Sequence, residues 1–208
     1  MTAASSKGWK RRDFLAGATL LAVAAATPVD AATVLRKGGD RLPTPAIRAL
    51  MKDVAQLVIP RTKTAGAGDV GAGDFVLLAL AHGLEGAHRP LTGEAATTYK
   101  LFLRADGTLR HADWLQAELN RRAGTRFIAL PLAKRRAVLV ALDTEAFAAR
   151  DHPWKAIKNL ILTGYYTSEI GGSKELNYEL VPGRFDPDLP LKPTDRAFSS
   201  DWSAVDFG

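Results

Sequence analysis

The chain has 208 residues, 47% of them hydrophobic, and 28 lysines and arginines against 22 aspartates and glutamates give a formal net charge of +6. It contains no cysteine, which excludes a disulfide framework, thiolate metal sites, cysteine-ligated iron–sulfur clusters and covalent c-type haem. The basic side chains are scattered, with no long run and no interleaved aromatics, so the charge reads as a solvated surface and a nucleic-acid partner is excluded.

The first 31 residues have the layout of a bacterial export signal: a basic start, an apolar middle from Phe14 to Ala26, and a small-residue end at Val29-Asp30-Ala31. The apolar run is shorter than the ~20 residues of a membrane-spanning helix, so it is expected to be removed, with cleavage between Ala31 and Ala32. Within KRRDFLAG, the pair Arg11-Arg12 followed by Phe14-Leu15 resembles the address of the twin-arginine (Tat) translocase, which moves proteins that are already folded. Loss of Lys7, Lys10, Arg11 and Arg12 with Asp13 and Asp30 takes the net charge from +6 to +4. What remains suits one domain with one core.

Residues 32–44 are polar and contain Gly and Pro, and read as a linker. The helical domain is expected over 45–179. Thr44 as N-cap and Pro45 at the first helical position open a helix that Pro60 closes, with Ile47, Leu50, Met51, Val54, Leu57 and Val58 along one face. A Gly-rich turn from Gly66 to Gly73 follows, and Asp74 is placed to cap a buried helix from Phe75 to about Leu84. Ala95 to Leu103 reads as helix, then comes a turn at Ala105-Asp106-Gly107. A helix from about His111 to Arg122 directs Trp114, Leu115 and Leu119 inward. Pro131 opens the next, with Val138, Leu139, Leu142 and Phe147 on its inner face. The last begins near Pro153, carries Trp154, Ile157, Leu160, Ile161 and Tyr165 on a 3.6-residue stripe, and ends at Gly171-Gly172. No useful strand alternation appears, so the fold class is all-α: a single compact helical domain behind a cleavable signal peptide. From residue 180 to 208 four prolines block helix and leave an extended tail. Its anchors Phe185, Leu189, Leu191, Phe198 and Trp202 suit a strap laid along a partner.

Chemistry is hard to find. GAGDVG, Gly66 to Gly71, has the letters of a dinucleotide-binding loop, but no buried strand precedes it, and it reads as a flexible turn between helices. His82, His88, His111 and His152 are too few and too dispersed for a metal centre. Ser168-Glu169 and Lys174-Glu175 read as exposed polar groups near a helix end, because nothing places a nucleophile beside its base. No catalytic, cofactor-binding or metal-binding residue is therefore assigned. Folded export without a cofactor site suggests that the cofactor belongs to a second polypeptide, and that one signal serves both.

The stretch from Leu162, LTGYYTSEIGGSKELNYELVPGRFDPDLPL, resembles the C-terminal signature of the gluconate 2-dehydrogenase subunit 3 family. The leader KRRDFL, LVIPRTKTAGAGDVGAGDFV, AVLVALDTEAF and WKAIKNLILTGYY agree with that family in order. The resemblance implies a non-catalytic small subunit. It binds an FAD-dependent catalytic subunit of the glucose-methanol-choline type, assists its maturation and accompanies it through the Tat route to the periplasm. A c-type cytochrome with several haems commonly forms a third subunit. FAD would sit in the partner, and nothing selects among glucose, gluconate and related substrates. Some relatives carry cysteines here; this chain has none, which rules out a disulfide to the partner. The contact surface is expected at Gly164, Tyr165, Tyr166, Glu169 and Gly171 together with Phe185, Leu189, Leu191 and Trp202 of the tail. Adjacent tyrosines cannot share one helix face, so one packs inward and one reaches outward. The competing arrangement has both tyrosines in the core and the tail over its own domain. A stand-alone periplasmic protein binding a small sugar-like ligand is the alternative function.

Overall fold

A computed structural model describes residues 43–149, 151–178, 190 and 192–199. The export-signal residues Arg11, Arg12, Phe14 and Leu15, the cleavage pair Ala31 and Ala32, and the tail residues Phe185, Leu189, Leu191 and Trp202 lie outside these.

The described part is helical. Helix α1, Pro45–Val58, starts where the sequence places it: the Thr44 side chain accepts a hydrogen bond of 3.2 Å from the Ile47 N–H, and Pro45 fills the first turn, where no N–H partner is needed. Its buried side is Ile47, Leu50, Met51, Val54 and Ala55. Helix α2 runs Ala72–Ala81, three residues earlier than the sequence suggests. Its N-cap is Gly71, in the left-handed region at φ 82°, and Asp74 lies in the first turn rather than capping it. The intervening GAGDVGAG is an interhelix turn, but its glycines serve close packing. A Cβ on Gly68 would stand 2.5 Å from the Lys52 carbonyl oxygen, and one on Gly73 would stand 2.8 Å from the Lys52 nitrogen. The turn is pressed against α1.

The expected helix Ala95 to Leu103 is split into α3, Gly93–Thr98, and a 3-10 turn, Lys100–Phe102. Leu103 leaves helical geometry to bridge Leu109 across the Ala105-Asp106-Gly107 turn. Helix α4, His111–Ala123, buries Trp114, Leu115 and Leu119 as expected. Helix α5, Leu132–Ala148, buries Leu139, Leu142 and Ala146. Phe147, expected inside, is 86% exposed. The reason is angular: Leu139, Leu142 and Ala146 are spaced three and four apart, and the next residue turns about 100° away from that face.

Helix α6, Pro153–Tyr166, is central, packing on α2, α5, α4 and α1. Trp154, Ile157, Leu160, Ile161, Gly164 and Tyr165 are buried on it. The Trp154 indole N–H donates to Asp143 Oδ1 on α5 at 2.7 Å, and the Lys158 ammonium holds both oxygens of that carboxylate at 2.8 Å. Burial pushes the Asp143 carboxyl up, but these two donors outweigh it and hold it below the usual range.

Two histidines are kept neutral by the fold. His152 is the N-cap of α6, its Nδ1 accepting the Trp154 N–H at 3.2 Å, which requires an unprotonated nitrogen. Burial, with the Arg122 charge, lowers its pKa although Glu145 acts the other way. At His111, burial lowers the pKa to about 4; the hydrogen bond to the Leu109 carbonyl opposes this, and the Arg104 and His88 charges add to it.

The α-helix ends at Tyr166, ahead of the expected Gly171-Gly172, and a short π-helical turn, Gly171–Glu175, follows. Two elements depart from a purely helical fold: β1, Asn177–Tyr178, pairs in parallel with β2, Phe198–Ser199. Arg196 locks this return, donating from Nε to Asn177 Oδ1 at 2.8 Å and from a terminal nitrogen to the Lys174 carbonyl at 2.7 Å. The described tail segment 192–199 is thus fastened to residues 174–178 of its own domain, and the expected strap anchors Phe185, Leu189, Leu191 and Trp202 lie outside the described residues.

Candidate partner interface

The segment GYYTSEIGG, Gly164 to Gly172, is built from the end of α6 outward. Tyr165 is 1% exposed and its hydroxyl donates to the Ala65 carbonyl at 3.1 Å. The Thr64 hydroxyl donates to Glu175, so the loop before α2 is tied to the π-helical turn beside the same ring. Tyr166 is 42% exposed, and the two rings meet edge to face at a centroid distance of 5.2 Å. The expectation of one tyrosine inward and one outward holds, with Tyr165 as the inner one.

The glycines belong to this chain's own packing. A Cβ on Gly164 would stand 2.5 Å from the Phe75 ring of α2. At Gly171 it would stand 2.0 Å from the Tyr165 carbonyl oxygen, because the chain folds back over the end of α6. The Ser168 hydroxyl stabilises that return: it donates to the Tyr165 carbonyl at 2.6 Å and accepts the Gly171 N–H at 3.1 Å. Gly164, Tyr165 and Gly171 are therefore turned inward and offer no surface. Of the described residues expected to form the interface, Tyr166 and Glu169 stand in solvent.

Sequence reasoning missed the outer face of α5. Leu132 is 62% exposed, Val140 55% and Phe147 86%, and between them Ala133, Ala137 and Ala141 are exposed as well. Lys134, Arg136 and Thr144 are exposed beside them, so this side is mixed, where an ordinary surface helix is polar. The signal was available: α5 carries apolar residues all round, more than one buried stripe can use. Among the described residues no group of three or more His, Asp or Glu is gathered as a metal would need, and no helix is long and apolar enough to cross a membrane.

The model of the family described as gluconate 2-dehydrogenase subunit 3 matches residues 45–183, from the first residue of α1 to just beyond β1. The chain belongs to that family. The match takes in every helix described here, including α5 and the GYYTSEIGG segment. No curated protein and no solved structure matches the chain. As a subunit 3 family member, the chain is assigned to a dehydrogenase assembly as one of its subunits.

Proposed function

We propose that this chain is the non-catalytic small subunit of an exported, FAD-dependent sugar or sugar-acid dehydrogenase, and that it escorts the flavin-bearing catalytic subunit through the Tat translocase to the periplasm. Membership of the subunit 3 family over residues 45–183 carries this reading. Two features support it. The leader KRRDFL has the form of an address for folded cargo. The domain exposes the large apolar side chains Leu132, Val140 and Phe147 on α5, of the kind that serve as anchors in an interface. The flavoprotein is of the glucose-methanol-choline type, and a multi-haem c-type cytochrome is a further partner of the assembly.

Replacing Arg11 and Arg12 by Lys in cells making both subunits tests the escort role. The flavoprotein is expected to fall in the periplasmic fraction by about tenfold or more and to accumulate in the cytoplasm. Normal periplasmic levels of the flavoprotein beside a retained small subunit would contradict it.

A further inference from the structure

From Lys192 to Ala197 every residue is exposed, so this stretch is held to the domain by hydrogen bonds, with little apolar burial to help. Its local shape is set in advance. Pro193 stands at the second position of a turn in which the Asp195 N–H donates to the Lys192 carbonyl at 3.0 Å. The Asp195 carboxylate accepts the Lys192 N–H at 2.8 Å and closes the same turn.

Arg196 follows the turn and engages Asn177 in both directions. Its guanidinium donates to Asn177 Oδ1 through Nε at 2.8 Å and through a terminal nitrogen. The Asn177 side-chain amide donates back to the Arg196 carbonyl at 3.4 Å, and the Asn177 N–H donates to the Ala197 carbonyl at 2.8 Å. The same guanidinium also donates to the carbonyls of Lys174 at 2.7 Å and Leu176 at 3.4 Å, the two residues that flank Glu175. Glu175 in turn accepts the Thr64 hydroxyl, and the neighbouring Ala65 carbonyl accepts the hydroxyl of the buried Tyr165 at 3.1 Å. A single side chain, Arg196, thereby connects the segment 192–199 with the loop before α2.

The kinds of contact decide how this connection behaves. A pair of two-residue strands is too short to be stable by itself. Exposed hydrogen bonds with few apolar contacts mark segments that open locally, well below the free energy of global unfolding. A guanidinium is suited to fasten such a segment, because its planar fork loses little entropy for each bond it forms.

We infer that Arg196 is the latch of a clip: the segment 192–199 opens and closes as a unit of its own, and its closure fixes Glu175 where it holds the loop 61–65 in place. The device needs only groups of this chain and stands independently of the subunit reading.

The test is amide hydrogen exchange of the full chain, read residue by residue by nuclear magnetic resonance, beside thermal melting. In the unaltered chain the Asn177 N–H should exchange at least about thirtyfold more slowly than an unstructured amide, yet faster than the amides of α6. In R196A it should exchange at least about tenfold faster. The N–H groups of Thr62 and Ala67, which are bonded within and beside the loop, should speed up with it. Exchange in α6 and the melting temperature should stay as they were. Thr64→Val cuts the connection beyond the latch, so it should speed the loop amides and leave the Asn177 N–H at its unaltered rate. An Asn177 N–H that exchanges like an unstructured amide in the unaltered chain, or at the same rate in R196A, overturns the latch. Unchanged loop amides in R196A overturn the hold on the loop, as does an Asn177 N–H accelerated equally by Thr64→Val. Faster exchange throughout α6 with a lower melting temperature in R196A would show that the segment opens only with the whole domain, and would overturn the clip as a separate unit.

Discussion

Trp154→Ala is expected to lower the stability of the domain by about 3 to 5 kcal/mol, the usual cost of emptying a buried aromatic site. Trp154 lies fully buried in the first turn of α6, the helix on which α1, α2, α4 and α5 all pack. Two effects add to the cavity. The indole N–H bonded to Asp143 Oδ1 is lost, although Lys158 still holds that carboxylate. The apolar contact that sets α6 against α5 is lost with it. Domains of this size have a net stability of about 5 to 15 kcal/mol, so a large part of the total is removed. Trp154→Phe keeps most of the volume and should cost about 1 to 2 kcal/mol. Urea unfolding followed by circular dichroism separates the two. A loss under about 1 kcal/mol for Trp154→Ala would show that α6 is not the centre of the core.

The second large effect is on acid stability. In the folded chain His111 has a pKa of about 4 against an ordinary 6.5, and His152 is lowered as well. Between those values the unfolded chain binds protons that the folded chain refuses, so stability rises with pH across this window. The contribution is complete above about pH 6.5 and is lost as the pH falls toward about 4. For His111 the loss amounts to about 3 kcal/mol. Protonating His152 also removes the acceptor for the Trp154 N–H, so acid attacks the start of α6 directly. The paired carboxylates, Asp143 and Glu118 among them, have lowered pKa values and weaken the fold only at more acid pH. The variant H111Q/H152N removes both titrations while Asn keeps the N-cap chemistry. Its stability between pH 7 and 4.5 should be nearly flat by comparison. An unchanged slope would remove the histidines from the explanation.

Local patterns made the helices legible. Thr44-Pro45 states a helix start in two residues, and the stripes Trp114-Leu115-Leu119 and Trp154-Ile157-Leu160-Ile161-Tyr165 place inner faces without ambiguity. Where the reading failed, a nonlocal cause prevailed. Large apolar residues outweigh alanine in a periodicity argument, so Phe147 was placed inside and Ala146 overlooked, yet the helix buries the alanine. Asp74 looked like a cap because a side-chain oxygen is the commonest device, whereas Gly71 starts the helix through a left-handed backbone. The pairing of Asn177 with Phe198 joins residues far apart in sequence through strands too short to alternate.

The interface was the least legible part. Gly164 and Gly171 rightly signalled close backbone approach, but the approaching groups are Phe75 and the Tyr165 carbonyl of the same chain. A glycine states that something comes near and does not state which molecule supplies it. The outer face of α5 is visible only once the inner face has been fixed, because apolar residues all round the helix leave the choice between faces to tertiary packing.

The central claim is that the flavin and the chemistry reside in a separate chain which this one accompanies. The most direct measurement is to co-produce the two subunits, purify through a tag on the small one, and then separate them under mild denaturant. Flavin absorbance at about 450 nm and sugar oxidation should be present in the complex and absent from the small subunit refolded alone. A refolded small subunit that binds flavin and oxidises a sugar unaided would contradict the account.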